Sequence, residues 1–401
     1  MSALRIAVVS DLREEQWHSM DVVSDLLVAG LATPLVGETP IEAVQIRPTM
    51  TRRLTRLPGT STAPVIGTAD RVINRYWDYP RWLRRRAGEF DLFHIVDHSY
   101  AHLALHLPEG RSIVTCHDVD AFAGVLPGEG RPSWFARGMS RRLVAGLQAA
   151  AHVVCGSEAT RRALIAFDLV PASRITVVPY AVHPAYVPHA DAWADGEVEH
   201  LCDPVPPIGP ILLHVGSTIP RKRLDVLLDV FAQVIRRHPG ALLWRVGGPL
   251  TAMQEQQARH LRLFDRIVSL PFVDRRVLAA VYRRATLVLQ PSEREGFGLP
   301  VAEALGCGTP VVASDIPALR EAGGPAATYC RVADLDAWRA AVCSLLEERA
   351  IDPHAWATRR AEATRYTQRF STASHARGML AVYRRVMPAA FEAPVALAGC
   401  S

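Results

Sequence analysis

Two short segments of the 401-residue chain combine glycines, charges and a helix start in a way that suits an anion. The first is Glu293–Asp315, EREGFGLPVAEALGCGTPVVASD, directly after the strand-like run TLVLQPS. Gly296 and Gly298 let backbone N–H groups approach a ligand closely. Pro300 fits the first turn of a helix, where its missing N–H costs nothing. A glycine loop that feeds a helix N-terminus binds anions, and a diphosphate is a usual occupant. Glu295 and Glu303 stand eight residues apart, one before the turn and one read in the first helical turn. Beside a phosphate, carboxylates make sense as acceptors for sugar hydroxyls. For Glu303 alone, the simpler reading is an acid favoured by the helix dipole.

The second segment is His214–Leu228, HVGSTIPRKRLDVLL. A strand ends in Gly216 and a helix begins, with Arg221, Lys222 and Arg223 at its entrance. Cations at a helix N-terminus oppose the macrodipole, so three in a row call for an anion. The simpler reading is a solvated basic turn. Lys222 is the single lysine among 45 basic residues, a bias that reflects base composition of the genome more than physics.

Other polar residues end strand-like runs nearer the N-terminus. His117 and Asp118 close SIVTCHD. Asp97, His98 and Tyr100 lie in VDHSYAHL. Glu14, Glu15 and Trp17 follow the first run, in SDLREEQWHSM. The last two groups are candidate acceptor contacts; a solvated turn and a core tryptophan are the bland alternative for Glu14, Glu15 and Trp17.

These residues need a scaffold, and the apolar pattern supplies one. Short β-rich runs alternate with helical patterns, which signals parallel α/β layers. The first series is Arg5–Ser10, Glu42–Pro48, Asp91–Asp97, Ser112–Asp118, His152–Ser157 and Ile175–Val182. The second is Ile211–Ser217, Ala241–Gly248, Arg266–Val273, Thr286–Ser292, Pro310–Asp315 and Ala326–Cys330. Near-continuous apolar runs suit strands buried on both faces. His183–Pro210, with six prolines and a patch of acids, reads as a linker. The expected organisation is two tandem Rossmann-like, doubly wound domains with an interdomain cleft: 1–182, a linker 183–210, a domain 211–375, and a helix and tail 376–401. Ligands bind outside the carboxyl ends of such strands. Helices are expected over Trp17–Ala32, Trp134–Ala150, Glu158–Phe167, Leu224–Arg237, Ala252–Phe264, Arg275–Arg284, Pro300–Leu305, Leu335–Glu348 and His354–Met387. No regular structure is assigned to Thr49–Gly88.

Composition sets outer limits. The chain is 49% hydrophobic and carries a formal charge of +5, small for its length. No apolar run reaches the ~18 residues of a membrane span, and no signal peptide is recognisable at the start. Seven cysteines without C-x-x-C spacing read as buried thiols of a reducing cytosol. No D-x-D motif or His/Cys cluster suggests a metal.

The Glu-(seven residues)-Glu segment, the P-R-K turn after a strand and glycine, and DRRVLAAVYRRATLVLQPS together resemble glycosyltransferase family 4. The resemblance continues more weakly through HDVDAF, VVCGSEATRRAL and RITVVPYAV. It implies the GT-B architecture and a retaining, cytoplasmic enzyme that draws on a nucleoside-diphosphate sugar without a further cofactor. It implies that Lys222, with Arg221, contacts the donor diphosphate, that Glu303 bonds the ribose hydroxyls and that Glu295 contacts the donor sugar. Backbone amides of Phe297, Gly298 and Leu299 would hold the sugar and its phosphate, and His117 would face the donor sugar. Where many members carry an arginine after the glycine, this chain has Ser217. The first loop also lacks the glycine pair of many members.

Fixed cations and helix-terminal N–H groups stabilise a diphosphate leaving group without metal. Family resemblance argues for same-face attack, in which a donor phosphate oxygen takes the acceptor proton. The acceptor is expected to be a glycan, a lipid-linked molecule or a small molecule. Rivals are a sugar-nucleotide epimerase or phosphorylase of the same architecture and a non-catalytic anion or membrane-surface binder. Arg84–Arg86 with Trp77, Tyr79 and Trp82 offers such a surface; a solvated arginine face is the alternative. The cleft-edge glutamates disfavour nucleic acid, while peripheral contact with the inner face of a membrane stays open.

Overall fold

The computed structural model describes residues 3–15, 17–33, 40–55, 64–126, 133–202 and 209–391. The chain divides into two units, residues 1–181 with 372–401, and 182–371. Each of the twelve apolar runs overlaps a strand, and β1 and β2 begin one residue before theirs.

In the first unit the strands are β1 (Leu4–Val9), β2 (Ile41–Ile46), β3 (Leu92–Ile95), β4 (Ser112–Cys116), β5 (His152–Cys155) and β6 (Ile175–Val177). They form one sheet of order β2-β1-β3-β4-β5-β6, parallel throughout. The order reverses between β1 and β3, which opens a crevice at their carboxyl ends. Ala7, Val9, Phe93 and Val114 face one core and Ile6, Val8, Leu92 and Ile113 the other. Burial on both faces is why the inner strands β1, β3, β4 and β5 lack a polar alternation.

The second unit holds β7 (Ile211–Val215), β8 (Leu242–Val246), β9 (Ile267–Leu270), β10 (Leu287–Gln290), β11 (Val311–Ser314) and β12 (Thr328–Cys330). Their order is β12-β11-β10-β7-β8-β9, again all parallel. Here the reversal falls between β7 and β10, so the two motif segments leave the sheet side by side. Among the described residues no helix is long and apolar enough to cross a membrane, and Cys116, Cys155, Cys307, Cys330 and Cys343 are free and buried.

Three readings are corrected. The stretch 183–210 contains a helix, Ala192–Cys202, and belongs to the second unit. Its acids pair with the basic helix Arg275–Arg284: Asp191 with Arg276 at 2.8 Å, Asp195 with Arg283 at 2.8 Å and Glu199 with Arg284 at 3.1 Å. Residues 203–208 of that stretch, like the tail beyond 391, lie outside the described residues. The expected helix over His354–Met387 is two, Pro353–Thr367 and Thr372–Val386, broken by a turn whose Phe370 is buried. The chain leaves the second unit at that break, and Met379, Leu380 and Tyr383 join the core under β1 and β3.

The third correction concerns Thr49–Gly88. It forms the helices Pro64–Ile73 and Tyr79–Arg85, joined by a π-helical turn over Asn74–Asp78. A π turn inserts a residue into the helical repeat, which erases the period that sequence reading needs. Buried Asn74 and Asp70 hold the preceding loop: Asn74 accepts the Thr51 N–H at 2.7 Å, and Asp70 accepts the N–H groups of Arg53, Leu54 and Thr55.

Candidate functional site

In the second unit β7 ends at Val215 and Gly216 turns the chain. Pro220–Lys222 form one 3₁₀ turn, Arg223 adopts a left-handed conformation (φ 50°), and the helix Leu224–Val234 begins. β10 ends at Gln290 and leads to Ser292, Glu295 and the helix Leu299–Gly306. The two turns are tied by backbone: the Glu293 N–H donates to the Arg221 carbonyl at 2.9 Å.

The basic triplet is not a solvated turn. Lys222 is 8% exposed, and its Nζ donates to Glu295 Oε1 at 2.6 Å. Arg221 reaches Glu295 Oε2 at 3.3 Å and the Arg294 carbonyl at 3.1 Å. Arg223 pairs with Asp225 at 2.8 Å and with Glu293 at 3.4 Å. The anion that three cations at a helix entrance demand is thus met in part from within the protein, chiefly by Glu295.

Glu295 is the hub. Its Oε1 also accepts from Ser292 Oγ at 2.8 Å and from Gln290 Nε2 at 2.9 Å. Burial pushes its carboxyl up. The Lys222 and Arg221 cations and the hydrogen bonds outweigh that and hold it below the ordinary glutamate value.

Glu303 has the opposite environment. It is the fifth residue of its helix and not in the first turn, so the dipole explanation does not apply. Tyr282 Oη donates to its Oε2 at 2.9 Å, and Tyr186 is a second donor. The two tyrosine rings meet edge to face at 5.8 Å. Burial lifts the Glu303 carboxyl to about 7, against the hydrogen bonds from Tyr282 and Tyr186 and the charge of Arg275.

Gly298 caps the helix with φ 101°, and a side chain there would meet Leu319 at 2.6 Å. Only glycine lets the chain turn so closely. Phe297 is buried, packed perpendicular to Phe370 at 5.4 Å. The backbone of Phe297, Gly298 and Leu299 therefore enters the helix on a rigid base.

In the first unit a separate polar cluster sits at the carboxyl ends of β1, β3 and β4. His117 donates from Nε2 to the Val96 carbonyl at 2.7 Å, and burial holds its pKa below the usual value, so it is neutral. His98 lies 3.3 Å from Asp97 and 3.5 Å from Asp118. Asp11 is buried, and neither of its carboxylate oxygens has a donor among the described residues. Burial, then the Asp97 carboxylate, push Asp11 up to about 10. Protonated Asp11 is itself a donor to Asp97. Burial raises Asp97 too, but His98, His117, Ser99 and the Asp11 donor together keep it below the ordinary value.

Of the candidate acceptor contacts, Glu15 pairs with Arg75 at 3.5 Å and is half-buried, while Glu14 accepts the Met50 N–H at 3.2 Å. Trp17 is 57% exposed and so is not a core tryptophan. Glu14 and Arg13 line an open pocket of about 440 Å³ with Gln45, Arg47, Pro48 and Thr49. In the arginine-rich helix Tyr79 is fully buried and bonds the Ser10 carbonyl at 2.6 Å, whereas Trp77 is exposed under Arg81.

Two family models match the chain. The one described as Glycosyltransferase Family 4 covers residues 31–186, and the one described as Glycosyl transferases group 1 covers residues 209–348. The chain belongs to glycosyltransferase family 4. This family member is 33% identical over 265 residues to the D-inositol 3-phosphate glycosyltransferase of Kineococcus radiotolerans, an alignment covering 60% of this chain and 58% of that protein. It spans about half the length of the curated relatives it matches. Its GT-B fold is shared with sucrose-phosphate synthase of Thermosynechococcus elongatus, at a TM-score of 0.71 and 20% identity over 96% of this chain and 100% of that one. It is shared too with Anabaena HepE, solved with UDP and glucose, at a TM-score of 0.66 and 17% identity over 95% and 99% of the chains.

In this chain the geometry brings Arg221, Lys222 and Glu295 together, with the Gly298 helix start following from the same strand end as Glu295. Glu303 lies against Tyr282 in the second unit, and His117 belongs to the first unit. Sequence reading missed the residues that hold the glutamates: Gln290 and Ser292 for Glu295, Tyr282 and Tyr186 for Glu303. Gln290 carried a signal, an amide ending an otherwise apolar strand. The tyrosines carried none, because a tyrosine in an amphipathic helix reads as core.

Proposed function

We propose that this chain is a retaining, metal-independent glycosyltransferase that moves a sugar from a nucleoside-diphosphate sugar to a hydroxyl acceptor. The single observation that supports this most is the Lys222–Glu295–Arg221 cluster at the switch point between β7 and β10. Open α/β sheets bind their ligands at such a point.

In this reading the diphosphate lies over the turn after Gly216 and the start of the Leu299–Gly306 helix. Lys222 carries further N–H donors beyond the one spent on Glu295, and these face the phosphates with Arg221. Glu295, held by Ser292 and Gln290, accepts from sugar hydroxyls. Glu303 accepts from the ribose. The bond from the anomeric carbon to the diphosphate oxygen breaks, and the negative charge that grows on that oxygen is met by the two cations and the helix-terminal N–H groups. The acceptor oxygen bonds to the same face of the anomeric carbon, and its proton passes to a phosphate oxygen of the leaving group. No side chain is required as nucleophile. UDP and glucose bound to HepE make UDP-sugars the first donors to test.

The test is thermal denaturation of the protein with UDP, GDP, ADP and their sugars. One nucleotide series should raise the melting temperature, and Lys222→Ala should abolish the shift. Indifference to all three nucleotides contradicts the proposal.

A further inference from the structure

Strand β8 reads LLWRV and lies between β7 and β9. A charged residue is out of place there, because strands of this kind are apolar on both faces. Arg245 is nevertheless 1% exposed. It alternates with Trp244, so it shares the face of Leu243, beneath the helix Leu224–Val234.

Its guanidinium is scarcely compensated. Nη2 donates to the Gly216 carbonyl at 3.1 Å. Nε and Nη1 are buried with no acceptor among the described residues. Burial lowers its pKa to about 10, which still leaves it charged at neutral pH. Its neighbour across the strands, His214, offers no counter-charge. Both nitrogens of His214 are buried without a partner, and burial, then the charges of Arg245 and Lys222, hold it neutral. Leaving a buried cation without an anion is strongly unfavourable. A gain elsewhere has to offset it.

The position of the one hydrogen bond shows where that gain lies. The Gly216 N–H donates to the Val246 carbonyl at 2.8 Å, and Arg245 holds the Gly216 carbonyl. The backbone of Gly216 packs so tightly on Gly247 (φ 128°) that a Cβ on Gly247 would sit 2.1 Å from that carbonyl oxygen. The peptide between Gly216 and Ser217 is therefore fixed. In a trans peptide the C=O and N–H point in opposite directions. With its oxygen turned inward to Arg245, this peptide directs the Ser217 N–H outward, and Ser217 is exposed. Lys222 stands on the same turn, its Cε 3.6 Å from where a Gly216 Cβ would be.

We propose that Arg245 is a positioning residue for the diphosphate of the donor: it pins the Gly216–Ser217 peptide with the N–H toward the anion and adds a fixed positive charge beneath the turn that carries Lys222. The inference rests on the second unit as the nucleoside-diphosphate site. The ligand then supplies the counter-charge that the protein lacks, and the free protein carries the cost of an uncompensated cation.

This makes stability and affinity move in opposite directions when the charge is removed. The experiment is calorimetric titration of wild-type protein, Arg245→Met and Arg245→Lys with UDP, GDP and ADP and with the parent nucleosides, alongside melting temperatures of the free proteins. For the diphosphate that binds wild type, Arg245→Met should raise Kd by about tenfold or more, the scale of one charge-assisted contact. Nucleoside affinity should not change, the free protein should melt no lower than wild type, and Arg245→Lys should recover part of the diphosphate affinity. Equal diphosphate affinity in Arg245→Met overturns the inference, as does equal weakening of nucleoside and diphosphate, which would reflect packing alone. If Arg245→Met does not fold, Arg245→Lys and Arg245→Gln decide: equal diphosphate affinity in the two means that charge is not what matters. Wild-type protein that binds none of the three diphosphates overturns the reading of the site itself, a separate result from a bound diphosphate that ignores Arg245.

Discussion

Lys222 Nζ and Glu295 Oε1 are 2.6 Å apart, and both side chains are buried. The pair joins the turn after β7 to the turn after β10, so each residue fixes the other whether or not it also serves the proposed donor. Removing one partner leaves a buried, poorly paired charge. Lys222→Ala is therefore expected to lower stability by about 3 kcal/mol, the lower end for a broken buried pair, since Arg221 still faces Glu295. It is also expected to lower donor turnover by ~10²-fold, the scale of one preorganised charge contact. The double variant Lys222→Ala/Glu295→Gln should regain most of the stability and none of the turnover. Chemical denaturation and steady-state rates on the three proteins separate the two roles; stability and turnover recovering together would assign the lysine to structure alone.

Nucleotide binding should depend on pH through Glu303. Its carboxyl is raised to about 7 in the folded protein, because burial outweighs the tyrosine donors. In its proposed role, as a charge-assisted acceptor for ribose hydroxyls, it works when ionised. Nucleotide affinity is expected to rise between pH 6 and pH 8 with release of a proton, and Glu303→Gln should be weaker at pH 8 and flat across the range. Tyr282→Phe removes a donor that favours the ionised form, so it should move the midpoint to higher pH. Calorimetry in buffers of different ionisation enthalpy reads the proton directly. A pH-independent affinity in wild-type protein would remove Glu303 from the ribose.

Asp11 makes a stability prediction with a definite sign. Its folded pKa, about 10, lies above the unfolded value near 4. The folded state thus holds a proton that the unfolded state has released. That contribution is complete below pH 4 and is lost progressively as pH rises toward 10. Asp11→Asn keeps a donor and removes the titration. It should leave the melting temperature nearly unchanged at pH 4 and raise it at pH 8, by the equivalent of about 1–3 kcal/mol for a buried polar group. A variant that is destabilised equally at both pH values would show that the Asp11–Asp97 proton is not shared.

The strands were legible because burial on both faces writes long apolar runs, and parallel pairing needs nothing else from sequence. The motif positions were legible because Gly216, Gly298 and Pro300 do local backbone work that few other residues can do. What stayed hidden is pairing at a distance. Nothing local links Lys222 to Glu295, 73 positions on, or Tyr282 to Glu303. The helix Ala192–Cys202 was hidden by prolines around it and by acids whose partners lie on Arg275–Arg284. Arg245 did leave a trace, a charge within an apolar strand, but its meaning depends on the Gly216 carbonyl that only the fold brings to it.

The most direct measurement follows donor cleavage with water standing in for the acceptor. Wild-type protein is incubated with an α-linked nucleotide sugar whose nucleotide raises its melting temperature, with EDTA present, and the released sugar is followed by proton NMR before it mutarotates. Retention with a metal-free diphosphate site requires the α anomer first, at a rate that chelation leaves unchanged and that Lys222→Ala reduces by ~10²-fold. First appearance of the β anomer, or cleavage that stops with EDTA and returns with Mg²⁺ or Mn²⁺, contradicts it.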